Sequence, residues 1–134
     1  MKMRVAVLTI SDKGSRGERE DVSGKVIVEK LESLGGEIVH QEIIPDELDM
    51  IAQRLRYLAD ELSADLVLTT GGTGLSPRDV TPEATKAVID REAPGFAEAM
   101  RQMSLQITPR AMLFRAVSGV RKRTLIINLP GSPK

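Results

Sequence analysis

Leu66-Val67-Leu68-Thr69-Thr70-Gly71-Gly72-Thr73-Gly74-Leu75-Ser76-Pro77-Arg78-Asp79-Val80-Thr81-Pro82-Glu83-Ala84 decides the reading of this chain. It opens on an apolar run, Leu66 to Thr70, with the pattern of a buried strand. It closes on Thr81-Pro82-Glu83, which predicts a helix start with a hydroxyl N-cap, proline at the first helical position and an acid in the first turn. Three glycines, two hydroxyls, an arginine and an aspartate lie between. Glycines let backbone N–H groups turn toward a ligand with no Cβ in the way, and such groups favour phosphate oxygens. The following helix start adds a dipole that favours an anion. An aspartate in such a nest makes chemical sense once a divalent cation stands between it and the phosphates. The stretch therefore predicts a magnesium-assisted nucleotide or phosphate site.

Outward from this stretch, strands and helices alternate. Val5 to Ile10 is a continuous apolar run, as expected of a strand covered on both faces. A polar loop from Ser11 to Glu20 leads to Asp21, which can cap a helix carrying Val22, Val26, Ile27, Leu31 and Leu34 on one face and ending at Gly35-Gly36. Glu37 to Ile44 reads as the second strand. Pro45-Asp46 introduces a helix with Leu48, Ile51, Leu55, Leu58 and Leu62 on one stripe, and Asp46 with Asp49 resembles a capping box. Pro82 to Arg91 reads as the third helix and Phe96 to Ser104 as a fourth. Arg115 to Val120 and Thr124 to Asn128 read as short strands joined by Arg121-Lys122-Arg123, with the second inside the sheet. The alternation predicts an α/β domain: a three-layer, open, mostly parallel sheet with helices on both faces. Leu129 to Lys134 has the form of a strand-to-helix loop with no helix after it. Residues 1–134 are thus expected to form a single domain lacking its C-terminal helix.

Composition closes several alternatives. A chain of 134 residues buries about two-thirds of its unfolded surface in one core. Lys+Arg and Asp+Glu balance at 19 each, and aromatics make up 2%, so neither a basic field nor a base-stacking platform supports nucleic-acid binding. There is no cysteine, which excludes disulfides, thiolate metal sites and cysteine nucleophiles. No segment has the length of a membrane span, and Met1 to Arg4 leads directly into a strand, so the expectation is a soluble cytoplasmic protein with no membrane partner.

Ligands of open parallel sheets bind beyond the carboxyl ends of the strands. There this chain has Ser11-Asp12, Asp46, Gly71 to Asp79, and Pro130-Gly131-Ser132. The glycine loop is neither a P-loop, which needs Lys-Ser/Thr at the helix start, nor a dinucleotide fingerprint, because Pro77 stands where the third glycine belongs. A tight turn alone does not require Thr73, Ser76, Arg78 and Asp79. Asp46 reads as either a helix cap or a ligand. Asp79 reads as a metal ligand, a loop cap or a partner of Arg78. Asp12, Glu18, Glu20 and Asp21 read as a solvated loop, and His40, mid-strand, as structural. Met100, Met103 and Met112 read as core or subunit interface.

Taken together, Thr70 to Gly74 with Arg78-Asp79-Val80-Thr81-Pro82-Glu83-Ala84, Pro94 to Arg101, Leu129 to Lys134, Thr9 to Asp12 and Pro45-Asp46 resemble the molybdopterin adenylyltransferase family, the MoaB/Mog type of molybdenum cofactor biosynthesis protein. The resemblance spans essentially the whole chain. It implies the molybdopterin-binding fold, molybdopterin and ATP as substrates, Mg2+ or another divalent cation, and a homo-oligomer, commonly a trimer. It also admits a non-catalytic molybdopterin carrier or scaffold. On this reading Asp79, Asp46 and Arg78 are the catalytic candidates, with Asp79 and Asp46 also the candidate metal ligands. Ser11, Gly71, Gly72, Thr73, Gly74, Ser76, Thr81, Pro130, Gly131 and Ser132 are the expected substrate and phosphate contacts. Phe114 departs from the family pattern, which has serine there.

Overall fold

The computed structural model describes residues 2–131, so the expectations for Ser132, Pro133 and Lys134 lie outside the described residues. Strands β1 (Arg4–Ile10), β2 (Glu37–Ile44), β3 (Leu66–Thr70), β4 (Arg91–Glu92), β5 (Ser118–Arg121) and β6 (Thr124–Leu129) form one sheet in the order β2-β1-β3-β6-β5-β4. Neighbours from β2 through β6 run parallel, whereas β5 is antiparallel to both β6 and β4. The expected mostly parallel sheet is therefore present, with the hairpin through Lys122-Arg123 as its antiparallel excursion. Lys122 adopts a left-handed backbone there, with φ of 54°.

Helix α2 (Val22–Ser33) and helix α5 (Gly95–Leu105) cover one face, and α3 (Leu48–Asp60) and α4 (Thr81–Val88) cover the other. The alternation of side chains along each strand decides which residues meet which layer. Ala6, Leu8, Ile10, Val67 and Ile126 join Ile51, Leu55, Leu58, Ala84 and Val88 in the larger core. Val5, Val7, Leu68 and Ile127 face Ile27, Val28, Leu31 and Met100. Each fully buried leucine, isoleucine or valine contributes about 1.5–3 kcal/mol of transfer free energy. Among the described residues, no helix is long and apolar enough to cross a membrane.

Several local expectations are corrected. The polar loop after β1 contains a short helix, α1 (Asp12–Ser15), capped by the Ser11 hydroxyl, which accepts from the Gly14 N–H at 3.0 Å. Val22 and Leu34 of α2 are exposed, because its inner face is centred on Ile27, Val28 and Leu31. Its end is as expected: Gly35 takes φ of 89°, and the Gly36 N–H donates to the Leu31 carbonyl at 2.8 Å. Asp46 is not a cap, because Glu47 occupies that position of α3. Thr81 is not a cap either: Val80 precedes the helix, and the Thr81 hydroxyl donates to the Gly71 carbonyl at 3.0 Å. Helix α4 stops at Val88 rather than Arg91. Beyond it, the Asp90 N–H donates to Val120 O at 2.7 Å and the Ala93 N–H to Ser118 O at 2.9 Å, making residues 91–92 an edge strand. Pairing with β5 supplies backbone partners that a further helical turn would have lost. Gly119 permits it, since a Cβ there would lie 2.7 Å from Arg91 O.

The interior carries one buried polar junction. Asn128, fully buried in β6, donates to the hydroxyls of Thr69 in β3 and Thr85 in α4, each at 3.0 Å. Its side-chain oxygen accepts from the Val117 N–H at 3.0 Å, and its own N–H donates back to Val117 O at 3.1 Å. Replacing Asn128 by alanine strands the Val117 N–H and the Thr69 hydroxyl in the core. We predict a loss of about 3–5 kcal/mol in urea denaturation. A loss below about 1 kcal/mol would mean that the junction is dispensable.

Candidate active site

The strand order reverses direction between β1 and β3, and crevices at such points receive ligands in open α/β sheets. A cavity of about 550 Å3 opens there. Thr9, Ile10 and Ser11 line it from the end of β1, Thr70, Gly71 and Gly72 from the end of β3, and Asp46, Asp79 and Gly131 from the neighbouring loops. The start of α2 forms another wall through Asp21, Val22 and Ser23, so a helix dipole also points its positive end at this space.

Glycine is required where the walls approach each other. Gly71 and Gly72 have φ of 100° and 69°, conformations that side-chain-bearing residues rarely adopt. A Cβ on Gly71 would collide with the Ile10 carbonyl oxygen, and one on Gly72 with the Thr81 hydroxyl. Gly131 closes on the same turn, its Cβ position lying 3.4 Å from Gly71 Cα. Its carbonyl accepts from the Ser23 hydroxyl at 2.6 Å, while the Thr70 hydroxyl donates to Pro130 O at 2.7 Å. Among the described residues, the N–H groups of Gly72, Thr73 and Gly74 have no protein acceptor. Unpaired donors in such a turn are what an anion-binding loop offers.

Asp46 and Asp79 line the cavity, and Asp12 stands against Asp46. Asp46 and Asp12 are joined reciprocally: the Asp12 N–H donates to Asp46 Oδ2 and the Asp46 N–H to Asp12 Oδ1, both at 3.0 Å. Arg78 does not brace Asp79. Its guanidinium instead holds Asp12 in a bidentate pair, Nε to Oδ2 at 3.0 Å and Nη2 to Oδ1 at 2.9 Å. Those hydrogen bonds, with that from the Asp46 N–H, hold the Asp12 carboxyl below its ordinary pKa. Burial pushes the Asp46 carboxyl up, opposed by the Asp12 N–H and reinforced by the charges of Asp12 and Asp79. Asp79 Oδ2 accepts from the Ser76 N–H at 3.0 Å, folding the second half of the loop around the carboxylate.

Of the residues expected at the site, Ser11, Asp46, Gly71, Gly72, Asp79 and Gly131 line one cavity. Thr73, Gly74 and Ser76 belong to the same loop but stand behind or beside its lining, and Thr81 and Pro130 act through their bonds to Gly71 and Thr70. Ser132 lies outside the described residues. Sequence reasoning passed over Ser23 and Arg115. Asp12 read as solvated, yet Arg78 and the Asp46 N–H claim its carboxylate. Asp21 caps α2 as expected, accepting from the Gly24 N–H, and also accepts from the Thr9 hydroxyl, each at 2.9 Å. Phe114 does not line this cavity, and the Arg101 guanidinium lies 5.9 Å from its ring centre.

No group of three or more His, Cys, Asp or Glu suited to a metal occurs among the described residues. Asp46 and Asp79 nevertheless suit Mg2+, a hard cation usually held by one or two carboxylates together with substrate phosphates and water.

A crevice at a sheet switch point, an unpaired glycine turn and paired carboxylates together define an α/β domain built to hold a phosphorylated ligand. The sequence from residue 6 to residue 134 matches the family described as "Probable molybdopterin binding domain", and the chain belongs to that family. It is 49% identical over 134 residues to the molybdopterin adenylyltransferase of Helicobacter pylori strain J99, covering 98% of this chain and 76% of the relative. The crystal structure of the molybdopterin biosynthesis enzyme MoaB from Thermus thermophilus superposes with a TM-score of 0.92 at 56% identity, covering 98% of this chain and 82% of that one. The tungsten cofactor synthesizing protein MoaB from Pyrococcus furiosus gives 0.88 at 39% identity, with 98% and 84% covered.

Gly74 offers a clean test of the loop. A Cβ there would stand 2.9 Å from Asp79 Oδ2, and its backbone is not left-handed. Gly74→Ala is therefore expected to displace Asp79 and weaken binding of magnesium pyrophosphate about tenfold by calorimetry. Gly35→Ala, strained in φ but in open space, should lower stability and leave that affinity unchanged. Equal affinities in the two variants would contradict the placement of Asp79.

Proposed function

We propose that this chain transfers an adenylyl group from ATP to molybdopterin in molybdenum cofactor biosynthesis, releasing pyrophosphate. The observation that carries the proposal is the cavity in which the Gly71-Gly72 turn faces Asp46 and Asp79. Family membership and the names of its relatives supply the substrate pair.

The terminal phosphate of molybdopterin is already a nucleophile, so the reaction requires no Ser–His or Cys–His pair. One of its oxygens forms a bond to the α-phosphorus of ATP, and the bond from that phosphorus to the bridging oxygen of pyrophosphate breaks. Catalysis then rests on positioning and on neutralising charge. The N–H groups of residues 72–74, which have no protein acceptor among the described residues, and the start of α2 receive phosphate oxygens. Asp46 and Asp79 would hold a divalent cation, whose charge offsets that of the polyphosphate. Arg78 keeps Asp12 occupied and so fixes Asp46 against the cavity. Gly131, Ser11 and the loop through Pro130 shape the pterin side.

We further propose that the protein acts in the cytoplasm as a homo-oligomer, a cyclic trimer by resemblance. The support is an apolar surface: Met103, Ile107 and Met112 are 71%, 74% and 70% exposed, alongside Phe96, Leu105 and Leu113. Apolar patches of this kind on a soluble protein usually mark an interface. Sedimentation should show association, and a monomer mass independent of concentration would remove this part of the proposal.

Incubation with ATP, magnesium and molybdopterin should yield adenylated molybdopterin and pyrophosphate. Tight pterin binding without product would make the chain a carrier instead. Asp79→Asn keeps shape and removes charge, and turnover should fall by about two to three orders of magnitude. The fold should survive, because the residue is in a surface loop. Near-normal turnover would exclude Asp79 from metal or transition-state stabilisation.

A further inference from the structure

We propose that Arg115 is the positioning residue of the glycine loop, holding it from behind so that its N–H groups and Asp79 meet the phosphates. The inference rests on the phosphate-binding reading of the cavity. Arg115 lies after the 3-10 turn Pro109–Leu113, 41 residues beyond Gly74 in the chain, and it touches the loop at three places and the following helix at a fourth. Its backbone N–H donates to the Thr73 carbonyl at 2.9 Å. Its Nε donates to Gly74 O at 2.7 Å and its Nη2 to Asp79 O at 2.8 Å. Its Nη1 donates to Glu83 Oε2 at 2.6 Å, on the first turn of α4. One guanidinium thus spans the ascending limb of the loop, its descending limb and the helix that follows.

The arrangement answers a need of the loop. Residues 71–80 form no regular structure, and bonds within the loop close only its base and its far turn: the Thr81 N–H to Gly72 O at 3.1 Å, and the Asp79 N–H to Ser76 O at 2.9 Å. Nothing in these two closures fixes Thr73 and Gly74 relative to Asp79. Arg115 does so by engaging carbonyls on both limbs. Turning the carbonyls of Thr73 and Gly74 toward Arg115 also leaves the neighbouring N–H groups without protein acceptors. The rigid fork is essential to this task. A lysine ammonium can pair with Glu83 but cannot hold Gly74 O and Asp79 O in a fixed plane. Glu83, whose carboxyl Arg115 holds below its ordinary pKa, keeps the fork oriented.

The test compares the full chain with Arg115→Lys and Arg115→Met by steady-state adenylyl transfer, hydrogen exchange and calorimetry with magnesium pyrophosphate. In Arg115→Lys, kcat should fall by roughly tenfold to a hundredfold, the range that misplacing a reacting group produces. Pyrophosphate affinity should fall about tenfold. Exchange of amides 72–80 should accelerate, while the central strands β1, β3 and β6 keep their protection. Arg115→Met should do the same, more strongly. Unchanged exchange in 72–80 for both variants would overturn the inference, as would faster loop exchange with unaltered pyrophosphate binding. Loss of protection spread evenly over the sheet would also overturn it, since that is the mark of a merely structural residue. If the unaltered protein makes no adenylated product, the transfer reading fails, and loop exchange with pyrophosphate affinity still decides the role of Arg115.

Discussion

The amide of Asn128 is the point on which the rest of the molecule depends. A carboxamide with no solvent exposure is costly in a core unless its donors and acceptor are matched. Its three bonds reach β3, α4 and the segment entering β5, so one side chain fixes the register of the two inner strands and the seat of the helix that follows the glycine loop. Thr85 passes the constraint on, donating its hydroxyl to Thr81 O at 2.9 Å. Thr81 in turn donates to Gly71 O. A chain of buried hydrogen bonds therefore runs from the middle of the sheet to the turn that lines the cavity. An apolar residue at 128 could fill the volume, but it could not specify this geometry.

That continuity explains how a loop with left-handed glycines can hold one shape. Gly71 and Gly72 are held in conformations that cost unfolded-chain entropy, and close contact with Ile10, Thr81 and Gly131 leaves no room for side chains. The strained turn is anchored at its base by the Asn128–Thr85–Thr81 chain. Beyond that base two arginines tie the loop to its surroundings: Arg78, which leaves it toward Asp12, and Arg115, which reaches into it.

The sheet was legible in the sequence because continuous apolar runs mark buried parallel strands, and β2 and β3 have the boundaries that the sequence predicts. The cavity was legible for the same reason, since strand direction alone brings Ser11, Asp46, Gly71, Gly72 and Gly131 to one edge. What escaped depends on partners distant in the chain. Residues 89–91 follow a helical pattern until Val120 and Ser118 offer them a strand partner. Thr81 and Asp46 have the composition of helix caps, yet Gly71 O and the Asp12 N–H claim their side chains. Arg115 gave no local signal, because its role consists of carbonyls that sequence does not bring near it. Asp12 looked solvated for want of any indication that Arg78, 66 residues on, would fold back to it.

Asp12 and Asp46 show how one site can set two neighbouring carboxylates apart. Asp12 and Asp46 exchange backbone hydrogen bonds, so neither can move without the other, and their like charges oppose joint ionisation. Arg78 resolves the conflict by pairing with Asp12 alone. Its two hydrogen bonds hold the Asp12 carboxyl down, while burial and the charges of Asp12 and Asp79 push that of Asp46 up. The pair is thereby separated into a carboxylate already paired with Arg78 and a second one, Asp46, that faces the cavity. Under the proposed adenylyl transfer, Asp46 and Asp79 are the carboxylates that would hold a divalent ion entering with the nucleotide. The same carboxylates discourage a bare anion, whose charge they would oppose. Which aspartate the arginine takes therefore decides which carboxylate is already paired with a protein cation and which is left facing the cavity.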